Sequence, residues 1–129
     1  MNKASLDALA RHLLAEAESS SAGRGAHTVY GGHEHVLRQT LIALRKDAEL
    51  SEHANPGEAT VHVLVGRVEL ISPVGSWEGR RGDLITVPLS RHALRALESS
   101  VILLTVAKLA GEPPRSAPAA SGTAEEVTA

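Results

Sequence analysis

Apolar residues recur along this chain with two different periods. Over Ser5 to Glu18, Leu6, Leu9, Ala10, Leu13 and Ala17 fall three or four residues apart, with Ser5 in the N-cap place. That spacing predicts a short amphipathic helix whose apolar stripe covers a sheet face or a partner. Ser19-Ser20-Ser21-Ala22-Gly23-Arg24-Gly25 then breaks the pattern with the composition of a linker. From His27 to Leu109 the texture changes to short runs of β-branched and aliphatic residues bounded by Gly, Pro, Asn and Asp. Strands are predicted over His27–Tyr30, Val36–Arg45, Ala59–Val65, Arg67–Ile71, Trp77–Gly79, Asp83–Val87, His92–Leu97 and Val101–Lys108. Short strands separated by turns favour an all-β sandwich or barrel over alternating strand and helix units. Gly111-Glu112-Pro113-Pro114 opens a tail of Ser, Ala, Pro, Thr and Glu that is expected to be disordered. The expected organisation is a helix and linker over 1–26, a β domain over 27–109 and a tail over 110–129.

Composition sharpens this picture. The 129 residues are 43% apolar, yet Phe is absent and Trp77 and Tyr30 are the sole Trp and Tyr, so aliphatic side chains must fill the interior. One modest core is what a chain of this length supports. A net charge of −2 supplies no basic field for a phosphate backbone, and the scarcity of aromatics leaves little to stack on bases, so nucleic-acid binding is not expected. With no cysteine there is no disulfide framework, no thiolate zinc site and no thiol nucleophile. No apolar run approaches the roughly 18 residues of a membrane span. Met1-Asn2-Lys3-Ala4 does not open a signal peptide, and a cytoplasmic location is expected. Nucleophile elbows and phosphate loops are missing, and Gly23-Arg24-Gly25 lacks the further glycine and helix that cradle a phosphate.

The informative stretch runs from His53-Ala54-Asn55-Pro56-Gly57-Glu58-Ala59 through Thr60-Val61-His62-Val63-Leu64-Val65 to Gly66. A histidine and a Pro-Gly turn lead into a hairpin closed at a glycine. Downstream, Gly82-Asp83-Leu84-Ile85-Thr86-Val87-Pro88-Leu89-Ser90-Arg91-His92 supplies a glycine, a five-residue gap, a proline and a histidine. The pair of motifs, in this order and spacing, resembles the two motifs of the cupins over roughly Leu37 to Lys108. The resemblance implies a cupin-type β-sandwich or jelly-roll barrel with one pocket where His53 and His92 converge. It also implies a homodimer and a divalent transition metal (Zn, Fe, Ni or Mn) held by three histidines and a glutamate.

This sequence departs from that ligand set. Counting back from Gly66, the glutamate position falls on Ala59 and the second histidine of the pair on Asn55. Glu58 sits one residue before the glutamate position, where strand alternation points it to the other face unless a bulge intervenes. His92 arrives one residue early after Pro88. His53 and His92 are thus the candidate metal ligands, with His62 a weaker third because Val61 and Val63 alternate with it; Asn55, Glu58 and Ala59 are candidate pocket residues. The alternative for both histidines is a polar anchor that hydrogen-bonds a small molecule without metal. Among the arginines, most of which read as solvated strand edges, Arg38 or Arg91 could enter the pocket and grip a carboxylate bidentately. His33-Glu34-His35 follows two glycines in a turn and reads as a solvated loop, and His12 and His27 are given no role. Two functions therefore stand side by side. One is a small-molecule-binding or regulatory cupin with a partly lost metal site. The other is a metal-dependent cupin enzyme of the dioxygenase, isomerase or decarboxylase type, using His53, His92 and a third ligand.

Overall fold

The computed structural model describes residues 2–53, 57–88 and 91–108. Helix α1 (Leu6–Ser19) starts at the N-cap that the sequence offers: Ser5 is extended, and its Oγ accepts the Ala8 N–H at 3.2 Å. That bond satisfies one of the four N–H groups a first turn leaves open.

Among the described residues nine strands follow: β1 (Arg24–Gly31), β2 (Leu37–Leu44), β3 (Glu49–His53), β4 (Gly57–Val65), β5 (Arg67–Ser72), β6 (Gly75–Arg80), β7 (Leu84–Thr86), β8 (His92–Ala96) and β9 (Ser100–Lys108). They form two antiparallel sheets, ordered β1-β2-β9-β4-β7 and β3-β8-β5-β6. Alternation along each strand decides what lies between the sheets. Ala59, Val61 and Val63 of β4, Ile102, Leu104 and Val106 of β9, and Ile42 and Leu44 of β2 meet Val68, Leu70, Leu94 and Ala96 of the opposing sheet. The other face of the larger sheet is not left to water. Leu41 and Ala43 of β2 and Val101 of β9 pack against Ala10, Leu13 and Ala17 of α1. Strand β2 is therefore buried on both faces, which is why Leu41-Ile42-Ala43-Leu44 is an unbroken apolar run rather than an alternating one.

Three elements depart from the sequence expectation. Strand β3 carries one apolar residue that packs on the core, Leu50, because it is an edge strand interrupted by an irregularity between Leu50 and His53; its period-2 signal is correspondingly faint. Strand β1 starts at Arg24, inside the stretch with linker composition. Gly23 takes φ 72°, its carbonyl accepts the Arg45 N–H at 2.8 Å, and Arg24 pairs with Leu44, so a waiting sheet edge overrides weak local propensity. The strand expected over Asp83–Val87 is shorter, at Leu84–Thr86. Asp83 stays in the turn, where its carboxylate accepts the Arg80 N–H at 2.8 Å. No helix among the described residues is long and apolar enough to cross a membrane. The expected tail over 110–129 lies outside the described residues.

Candidate functional site

Strands β3 and β8 bring the two sequence motifs together. They are antiparallel neighbours at the end of the smaller sheet, and their register sets His53 opposite His92. His92 opens β8 on the same face as Leu94 and Ala96, and it is buried, with 6% of its surface exposed. It borders a cavity of about 20 Å³ between the sheets, together with Leu50, Val61, Val87 and Leu104. That volume holds roughly one water molecule, and its apolar walls offer a water few partners.

The remaining candidates divide between two faces of β4. Ala59, 8% exposed, points inward with Val61 and Val63, and its carbonyl accepts the Val87 N–H at 3.0 Å. Glu58 and His62 have the opposite parity. Glu58 is exposed, and His62 is half-buried on the outer face, in register with Leu84 of β7 and Leu103 of β9. No bulge brings either round to His92: β4 and β9 keep an unbroken register from Gly57 to Val63. Asn55 lies outside the described residues.

A resident transition metal needs more ligands than the described side chains bring together here. Such ions take three or four protein ligands. Among the described residues no group of three or more His, Asp or Glu side chains stands where it could hold one. On the inner face a methyl group, Ala59, occupies the place that the motif resemblance gives to the carboxylate.

Two other residues on the inner face matter more. Thr40 of β2 is in register with Leu104 of β9, which is in register with Val61 of β4. Both neighbours line the cavity, so Thr40 faces the interior. It is 0% exposed, and its Oγ1 has no hydrogen-bond partner among the described residues. A buried hydroxyl left in that state is destabilising and asks for an explanation. One row nearer the strand's start, Arg38 is in register with Val106 and thereby with Ala59, both core residues. Arg38 is legible in the sequence as an arginine on an early strand. Thr40 escaped notice there, although the alternation Arg38, Thr40, Ile42, Leu44 contains the signal.

A groove of about 440 Å³ runs along the seam between the edges β6 and β7, walled by Trp77, Leu84, Ile85, Val87 and Pro88. Val87 borders both this groove and the interior cavity. At the other end of the seam Arg67 donates to Glu78 at 2.8 Å and to Glu98 at 3.2 Å, which holds its guanidinium pKa above the usual value, Glu78 contributing most. This is a surface clamp joining β5, β6 and the turn after β8; it is not part of the interior site.

No protein-family model matches the sequence, and no curated protein matches it. Solved structures do. A conserved protein of unknown function from Streptococcus pyogenes is 28% identical over 70% of this chain and 78% of its own, with a TM-score of 0.63. An RmlC-like cupin from Shewanella frigidimarina superposes over 71% of this chain and 82% of its own, at 19% identity and a TM-score of 0.60. An RmlC-like cupin from Desulfovibrio desulfuricans does so over 65% and 81%, at 22% identity and a TM-score of 0.57. The chain has the cupin fold. Within that fold the backbones of His53 and His92 are paired across β3 and β8, and the inner face of β4 carries alanine and valine.

Proposed function

We propose that this cupin is a small-molecule-binding or regulatory protein that works without a resident metal. The observation that carries the reading is Ala59. It stands on the inner face, in register with Val106 of β9, at the position that the motif resemblance gives to the metal-binding carboxylate. Its support is the outward parity of Glu58 and His62, the two nearby side chains that could have replaced that carboxylate. In this reading His92, with His53 opposite it on β3, is a polar anchor in a largely apolar interior. The bound molecule enters between the sheets and is oriented by a few polar groups.

A second reading, a metal-dependent cupin enzyme, is favoured by the His53–His92 register alone. Elemental analysis of the purified full chain separates the two. The proposal expects metal far below one equivalent, and the same low content in His53→Ala and His92→Ala variants. Near-stoichiometric zinc, iron, nickel or manganese that disappears from both variants overturns it.

A further inference from the structure

We infer that the groove along the β6–β7 seam is a second binding site, separate from the histidine interior, and that it takes a small amphiphilic amine. The ammonium group is held at Asp83, and the apolar body lies against Trp77.

The groove exists because of how the two edge strands meet. Trp77 and Gly79 of β6 are in register with the core residues Leu70 and Val68, so both lie on the side of the smaller sheet that faces the core. At Gly79 the strands close: a Cβ there would stand 2.7 Å from Cδ1 of Ile85 on β7. Two residues away Trp77 forms the wall instead. Its indole stays 45% exposed, and Leu84 of β7, which also borders the groove, is 63% exposed. The space of about 440 Å³ is that of a site for a small organic molecule, whereas the cavity of about 20 Å³ beside His92 holds roughly one water.

Charge decides the class of ligand. The titratable residues that border the groove, Glu78 and Asp83, are both acidic. The nearby arginines, Arg67, Arg80 and Arg81, wall a different recess with Gly66 and Glu98. Glu78 is taken up by the Arg67 guanidinium at 2.8 Å. Asp83 differs: its carboxylate accepts the Arg80 backbone N–H at 2.8 Å, a bond to an uncharged group that fixes the carboxylate without neutralising it. An ammonium is the donor that such an oxygen binds most strongly. Trp77 lies three residues from Arg80 along β6, so roughly 10 Å separates the acidic end of the groove from the indole. Between them Ile85 and Pro88 offer apolar surface. A cation alone leaves the indole uncovered, an alcohol lacks the charge and a fatty acid brings the wrong one. An amine on an apolar body satisfies both ends, with the indole adding the contact area of a large aromatic.

Trp77 is the sole tryptophan, so its fluorescence reads this site alone. The test titrates the full chain with n-hexylamine, n-hexanol and n-hexanoate at neutral pH and matched ionic strength. Hexylamine is expected to give a saturable change at millimolar concentration, with the alcohol and the acid about threefold weaker or more. Asp83→Asn keeps an acceptor for the Arg80 N–H and removes the charge, and it is expected to bring hexylamine down to the level of hexanol. Trp77→Leu, followed by calorimetry, is expected to weaken binding several-fold, and it decides the matter if Asp83→Asn does not fold. Glu34→Gln removes a loop carboxylate outside the groove and leaves binding unchanged. Hexanol or hexanoate that binds as well as the amine, an affinity indifferent to Asp83→Asn or to Trp77→Leu, or no saturable signal overturns the inference. These outcomes are independent of the metal content of the chain, so they are distinct from a failure of the metal-free reading of the interior.

Discussion

Single residues carry the chemistry of this site, and Thr40 is the most telling of them. Its unpartnered hydroxyl is expected to lower the stability of the ligand-free chain. Thr40→Val keeps the shape, removes the buried polar group, and should raise unfolding stability by about 1 kcal/mol in a urea titration. A loss of similar size would mean that the hydroxyl is satisfied in solution. Ala59 is the complementary position. Ala59→Glu forces a carboxylate into the apolar inner face and is expected to cost about 3 kcal/mol or more in the same urea titration. Unaltered stability in that variant would mean that position 59 reaches solvent. The sequence carried half of this. Histidine spacing, Ala59 and the arginine on an early strand are all visible in it. The missing partner of Thr40 is a property of three adjacent strands, β2, β9 and β4, that lie far apart along the chain.

The elements show the same division. Helix α1 is legible because its capping serine and its three-to-four spacing are local, and β4 because Ala59, Val61 and Val63 alternate without interruption. Strand β3 is not, since one apolar residue at an irregular sheet edge gives no period. Strand β2 shows an unbroken apolar run whose cause, the covering of its second face by α1, only tertiary structure supplies. That cover should be structural. Leu13, 3% exposed, seats the helix on Leu41, Ala43 and Val101, and Leu13→Ala is expected to cost about 2–4 kcal/mol by urea unfolding. A loss under about 1 kcal/mol would mean that α1 is dispensable. The β4–β5 hairpin depends on Gly66, which adopts φ 83° against the Ser99 carbonyl and the Ser100 hydroxyl. Gly66→Ala combines the strain of that backbone with a collision and should lower Tm markedly.

On the scale of the molecule, both sheets end at an exposed edge along one seam. Strand β6 closes the smaller sheet and β7 the larger, with Trp77 45% and Leu84 63% exposed beside the groove between them. We expect the chain to pair with a second copy through such an edge. Light scattering coupled to size-exclusion chromatography should give twice the monomer mass, and a monomer that persists at tens of micromolar would contradict it. The cupin architecture itself was legible from the two motifs, because the order and spacing of glycines, prolines and histidines record hairpins and strand ends directly. The chemistry was less so: a conserved scaffold hosts many sites, and the inner face has to be seen to be read.

The central proposal is that this scaffold binds a small molecule without a resident metal. Its most direct measurement is a calorimetric titration of the metal-stripped chain with zinc, iron(II), nickel and manganese in turn. The account expects weak binding to surface histidines, unchanged in the His92→Ala variant. A tight one-to-one site that the His92→Ala substitution abolishes would contradict it.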